Sequence, residues 1–301
     1  MIPALQASFP ALSLRALCPL LGISRSGVYA ARSREPAAEA LALRDAIERI
    51  VLDFPGYGYR RVTHALRRAG WAVNHKRVLR VMREESVLCQ LKRRFVPTTD
   101  SRHGWGSYPN LLRERVVSSP NQAWVADITY LRLPTTFCYL AAILDAFSRR
   151  VVGWALSRQI DTALTLAALE GAIARRRPRP GLIHHSDHGV QYASGRYVAC
   201  LEQIGAQISM AAVGNVYENA LAESFFATLK REEVYLHDYR SFAEAETNLA
   251  QFIEAVYNHK RLHSSLGYRP PSEFETAWLD QRDDERFLEG QGDLTLVLVH
   301  S

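Results

Sequence analysis

The sequence predicts an α/β protein: a mixed five-stranded sheet flanked by helices, preceded by small all-α helix-turn-helix-like modules. Three observations carry that prediction. Residues 13–90 show only helical periodicity, whereas from about Asn121 three β-rich runs are followed by alternating helical and short apolar segments. The charge changes sign across the same divide. Residues 1–118 hold 20 Lys/Arg against 9 Asp/Glu, a net of +11, and residues 119–301 hold 17 against 22, a net of −5.

Composition narrows the classes. With 48% of 301 residues apolar and 23% charged, the chain can bury a core, which excludes wholesale disorder. No run approaches the ~18–20 apolar residues of a membrane helix. Met1–Pro10 lacks the basic and apolar stretches of a secretory signal. Cys18, Cys89, Cys138 and Cys200 form no C-x-x-C pair, which speaks against a disulfide scaffold or cysteine zinc site and suits a reducing cytoplasm. A basic front suits a polyanion, above all nucleic acid. Base-composition bias explains 33 Arg against four Lys, but not why one half is basic.

The elements follow in order. Ser13 can cap a helix carrying Leu14, Leu17 and Leu21, Gly22 breaks it, and Ser24 or Ser26 can start a second turn reaching Val28 and Tyr29. This is a helix-turn-helix fragment over 1–34, with Pro19 awkward inside its first helix, or equally a helical hairpin with no DNA role. Residues 35–90 read as a helix-turn-helix-like module. Leu43, Ile47, Ile50 and Phe54 share one helical face, and Phe54-Pro55-Gly56 ends that helix. A second helix from about Tyr59 buries Val62 and Leu66 and stops at Gly70. Asn74 caps a third, with Val78, Leu79 and Met82 inward and Lys76, Arg80 and Arg83 together on the opposite face. That is the layout of a module laying one helix on DNA, or of a solvated basic face. Residues 91–118, with Lys92-Arg93-Arg94, read as a basic linker.

Residues 119–279 read as the α/β domain. Strands over Gln122–Leu133 and Phe137–Asp145 are joined by a Pro134-Thr135-Thr136 hairpin, and Arg150–Ser157 is the third. Helices over Thr162–Arg175, Ser194–Ile204 and Tyr217–Tyr235 alternate with strands over Gly181–His185 and Gln207–Met210. A helix over Phe242–Tyr257 closes the core, and 280–301 is an acidic tail.

Three carboxylates stand out. Asp127 lies mid-strand among apolar and aromatic residues, where a lone ionised carboxylate must neutralise or find a cation. Asp187 follows the fourth strand, at a strand end favoured by active sites of open α/β sheets. Glu223 lies on a helix with Lys230 two turns on. Singly, Asp187 could be a turn former and Glu223 a helix-surface acid. Together they bring three hard oxygen ligands toward one place, as Mg²⁺ requires.

These residues carry a resemblance. Trp124-Val125-Ala126-Asp127-Ile128-Thr129-Tyr130, His185-Ser186-Asp187-His188-Gly189-Val190-Gln191-Tyr192 and Asn219-Ala220-Leu221-Ala222-Glu223-Ser224-Phe225-Phe226, with Leu229-Lys230 and Glu232, resemble the three acid motifs of the DDE transposases. These enzymes have a retroviral-integrase-type core, and the closest likeness is to the second-frame (OrfB-type) product of the insertion-sequence-three family. The 35 residues between Asp187 and Glu223 match that group's spacing. Tyr257-Asn258, Arg261-Leu262-His263-Ser264-Ser265-Leu266-Gly267-Tyr268 and Pro271 resemble its ending. Tyr57-Gly58-Tyr59-Arg60-Arg61, Gly70-Trp71 and Lys76-Arg77-Val78 resemble its helix-turn-helix-like front. The likeness spans roughly 12–279. It departs at His188 and Val190, where Arg and Ser are usual, and in the loop Met210–Asn215.

The resemblance implies an RNase H-like core and a transposase of a bacterial insertion sequence. Such an enzyme cuts DNA at the element's ends and transfers the strand, as in DNA integration and recombination. Asp127, Asp187 and Glu223 would be both catalytic residues and ligands of Mg²⁺ or Mn²⁺, two ions per site. The implied partners are terminal inverted repeats and target DNA, further copies of the chain on DNA, and an upstream-frame (OrfA-type) protein, with no membrane; the implied place is the bacterial cytoplasm, at the nucleoid. Lys230, Lys260 and Arg261 are candidate phosphate contacts, beside Lys76, Arg80 and Arg83. His185 and His188 would orient Asp187 or a phosphate, and Asn219 would support the third acid. His259 and His263 are an H-x3-H pair, but without paired cysteines a structural zinc site lacks half its ligands. Trp124 and Tyr130 are assigned to the core. The alternative is a catalytically inactive DNA-binding regulator on the same core. An RNase H-like nuclease that never joins is a third option, and a glycosidase built on two carboxylates leaves the basic front unexplained.

Overall fold

The protein is described from a computed structural model over residues 13–26, 38–89, 108–113, 115–134, 136–187, 189–211 and 220–282. The turn toward Val28 and Tyr29, most of the linker, His188, the loop through Asn219 and the tail past 282 lie outside these residues. Among the described residues no helix is long and apolar enough to cross a membrane.

The regular structure among the described residues of the front is helical. Helix α1 (Leu14–Leu20) carries Pro19 in its last turn, where few backbone bonds are lost. Helices α2 (Ala38–Asp53), α3 (Tyr59–Arg68) and α4 (His75–Glu84) pack Leu43, Ile47, Val62, Leu66, Val78 and Met82 into one cluster. Gly70, at φ +88°, turns the chain out of α3, and the Asn74 side chain accepts from the Lys76 amide at 2.8 Å to cap α4. Val81 is buried and the expected Leu79 only half so, because 78, 81 and 82 share the narrow inward arc of a ten-residue helix.

The core is one five-stranded sheet in the order β3-β2-β1-β4-β5. Strands β1 (Ala123–Arg132), β2 (Phe137–Asp145) and β3 (Val151–Ser157) form an antiparallel meander. Strands β4 (Ile183–Ser186) and β5 (Gln207–Met210) add in parallel beyond β1. Helices α5 (Thr162–Arg176) and α6 (Gly195–Gln203) cover one face, over Trp124, Ala126, Ala141 and Ile143. Gly153 lets α5 approach, since a Cβ there would strike the Ala168 carbonyl and Ala172. Helices α7 (Ala220–Glu232) and α8 (Phe242–Gln251) cover the other face, over Val125, Leu140, Ala142 and Leu144. Alternation along β1 therefore sends Val125 and Asp127 to the α7 face and Trp124 and Ala126 away from it.

Two features depart from the sequence reading. The helix expected over Phe242–Tyr257 is α-helical only to Gln251; Phe252–Tyr257 widens into a π-helical turn. Asn258 follows it and pairs with the backbone of edge residue Val151 through both side-chain atoms, at 2.9 and 3.0 Å. Residues 271–282 form a further helix, α9, beginning at Pro271, so the expected tail from 280 starts inside a helix. It is anchored by buried Glu275, which receives Ser148 Oγ at 2.6 Å, Arg150 at 3.0 Å and Arg176 at 2.8 and 2.9 Å.

Candidate active site and nucleic-acid interface

The parallel register of β1 with β4 runs Val125↔His185 and Ala126↔Ser186, then β4 ends. One step on, Asp127 and Asp187 stand side by side on neighbouring strands, whose usual spacing is about 4.8 Å. Both fall on the α7 face. This is also where the sheet changes from antiparallel to parallel, so β1 continues past Asp127 with an open flank.

Each aspartate is held by a backbone amide. Ile128 N–H donates to Asp127 Oδ1 at 2.7 Å, and Gly189 N–H donates to Asp187 Oδ1 at 3.0 Å. Burial first, then the negative charges of Asp187 and Glu223, push the Asp127 carboxyl up to about 8, against the pull of the Ile128 amide and the Lys230 ammonium. Glu223 is exposed in the first turn of α7, and burial raises its carboxyl as well. Lys230 lies half-buried on the same stripe of α7, its Nζ 4.9 Å from the centroid of the Tyr130 ring. Desolvation lowers its ammonium while Asp127 draws it back up.

The expectation that three carboxylates share one spot is met unevenly. Asp187 acts on Asp127 more strongly than Glu223 does, and among the described residues no three acidic, His or Cys side chains meet at the distances of one coordination sphere. The donor set still fits a hard divalent cation: two adjacent carboxylates and a third facing them, with one carboxyl held mostly protonated at neutral pH until positive charge compensates.

The other candidates divide. Lys76, Arg80 and Arg83 are exposed together on the outer face of α4; among the described residues only Arg80 of the three has an ion-pair partner, Glu84 at 3.8 Å. Lys260 is exposed at the end of the π-helical turn. Arg261 does not stand at a solvated helix end. It is 2% exposed and gives both Nε and Nη2 to Glu232 at 2.7 Å. His185 is fully buried, with Nδ1 2.8 Å from Ser209 Oγ, and a ring so enclosed does not meet a phosphate arriving from solvent. His259 is exposed and His263 buried beside Arg261. Trp124 is core, but Tyr130 is 36% exposed, on the part of β1 past the end of β4, with Lys230 against its ring. His188 and Asn219 lie outside the described residues.

Sequence reasoning missed the joint between the helical front and the core. Gly56 packs on the Glu232 side chain, Arg61 lies 3.9 Å from Glu232, the Tyr57 hydroxyl accepts from the Leu262 amide at 2.7 Å, and His64 stacks on Tyr268 at 3.5 Å. No local pattern announces it, because the partners Tyr57 and Leu262 lie 205 residues apart along the chain.

Comparison with known proteins gives consistent matches. Integrase core domain families match residues 117–216 and 204–271, and an HTH-like domain family matches 38–95. The chain is 37% identical over 271 residues to an insertion element IS600 uncharacterized 31 kDa protein of Shigella sonnei, covering 87% of this chain and 98% of that one. It is 36% identical to the transposase for insertion sequence element IS904 of Lactococcus lactis, covering 81% and 97%. It is 35% identical to transposase InsF for insertion sequence IS3A of Escherichia coli, covering 90% and 95%.

Proposed function

The chain belongs to the transposase family of insertion-sequence-three elements, and from that membership we propose that it cuts DNA at the ends of its own element and joins the freed ends to new sites. The observation that carries the chemistry is the pairing of Asp127 with Asp187 at the β1/β4 opening, faced by Glu223 and Lys230 from α7. In this reading the three carboxylates hold the metal ions and are the catalytic residues. Two Mg²⁺ or Mn²⁺ ions, when bound, activate the attacking oxygen and stabilise the leaving one.

The chain's own residues do the rest. Asp127 gives up its proton as cations arrive, so its raised affinity for the proton couples metal loading to pH. Lys230, fixed over Tyr130, places a cation beside the acids to neutralise the scissile phosphate. The exposed Lys76, Arg80 and Arg83 face of α4 grips duplex DNA, and Lys260 contributes from the core. Water opens the phosphodiester at the element's end and frees a 3′-hydroxyl. That hydroxyl then displaces the bridging oxygen of a target phosphodiester, with no covalent link to the protein. Several copies would assemble on DNA at the bacterial nucleoid, with an upstream-frame protein as a partner.

The test is a strand-transfer reaction on labelled oligonucleotides copied from the element's ends, with Mg²⁺ or Mn²⁺, by the chain alone and fused to the upstream frame. Metal-dependent joined products, absent with Glu223→Gln although DNA binding persists, are expected. Joining by that variant at the normal rate would overturn the role given to Glu223. Cleavage without joining would mark a nuclease, and binding without chemistry in both forms would mark a regulator.

A further inference from the structure

A second basic site lies round the side of α7. Ser224, Thr228 and Arg231 repeat at four and three residues, a stripe about a third of a turn from Glu223 and Lys230. The stripe forms one wall of a hollow of about 130 Å³, closed by Arg61 from α3, by Arg149 from the turn between β2 and β3, and by the strip after Tyr257. That is room for a phosphate group.

Its charge is unbalanced. Four guanidiniums, of Arg61, Arg149, Arg231 and Arg261, border the hollow. The carboxylate paired with them is Glu232, and both its oxygens are occupied by Arg261, with Arg61 at the margin. Arg149 and Arg231 have no carboxylate partner among the described residues, and Arg231 spends only its Nε, on the Ala227 carbonyl at 3.0 Å. The effect is felt at buried His263: desolvation first, then the Arg261, Arg61 and Arg149 charges, push its ring down to about 2. Cations withdrawn from water around a polar hollow favour an anion there, and hydroxyls of Thr228 and Ser265 add neutral donors.

We propose that this hollow seats one backbone phosphate of bound DNA. The site then fixes a strand where the helical front meets the core, on the helix that carries Glu223. The proposal rests on the reading that the chain acts on DNA.

Two variants of the full chain test it: Arg149→Gln with Arg231→Gln, and Ser265→Glu, which sets a carboxylate in the hollow without touching the ion pairs. Two probes are used, inorganic phosphate in a thermal melt against chloride at equal ionic strength, and random-sequence duplex DNA in an equilibrium titration across salt. The wild type is expected to be stabilised by phosphate and both variants not, with their melting in chloride unchanged. On DNA both should bind about tenfold more weakly, with the slope of log K against log salt shallower by about 0.9, the loss of one phosphate contact. An unchanged slope in both variants overturns the proposal; if phosphate stabilisation alone is lost, the hollow takes free anions and the DNA assignment fails. These readouts need no chemistry, so absence of joined products from the wild type would overturn the transposase reading without deciding this one.

Discussion

Asp127 shows how one side chain links stability to loading. Its carboxyl sits near 8 in the folded protein and near 4 in the unfolded chain, so over that interval the native state holds a proton the unfolded chain has released. That contribution is fully present below about pH 4 and is lost as pH rises through about 8. Asp127→Asn removes the loss, so its melting temperature should exceed the wild type's by about 5 °C above pH 8 and by little at pH 4. Mg²⁺ should narrow the gap by raising only the wild type. A gap independent of pH would show that Asp127 ionises normally. Residue type and immediate neighbours made this position readable from sequence, because an acid inside Trp124–Tyr130 has few bland explanations. The burial of Arg261 was hidden for the converse reason: its partner Glu232 lies 29 residues away, and only the fold brings them together.

Among the elements, α9 is held by a buried charge as well as by Phe274 and Trp278 on Phe147. Glu275 is buried, and although burial pushes its carboxyl up, Arg176, Ser148 and Arg150 hold it below the ordinary carboxylate range. Through it α9 is tied to α5 and to the β2–β3 turn. Glu275→Gln removes the nearer charge partner of the Arg176 guanidinium, leaving Asp145 at 3.8 Å, and should cost about 3 kcal/mol. In urea this reads as a lower unfolding midpoint at unchanged m, whereas a change under 1 kcal/mol would show the network to be slack. The strands were readable from their β-branched and aromatic runs. Helix α9 was not, because what anchors it is a carboxylate, which no apolar periodicity registers; Pro271 at its first position was the available cue. The π-helical turn was equally hidden, since Phe252–Tyr257 has the composition of an ordinary α-helix.

At the scale of the molecule, the division into a basic front and an acidic rear was readable from charge, but the way the halves join was not. Glu232 sits between them, bounded by Gly56 and held by Arg261. A Cβ at residue 56 would press on a carboxylate that cannot swing away, so Gly56→Ala should cost about 1–3 kcal/mol, and calorimetry should resolve a separate transition for the front where the wild type melts once. A single transition at the wild-type temperature would mean that the joint yields. Leu262 carries the point further. It is buried in the cluster of the helical front, and its amide reaches Tyr57 across 205 residues of chain. The strip around it is therefore encoded with the core but fits the front like a key cut for one lock. A helical front grafted from another chain without that strip would meet a mismatched socket, so the two distant stretches have to be moved together.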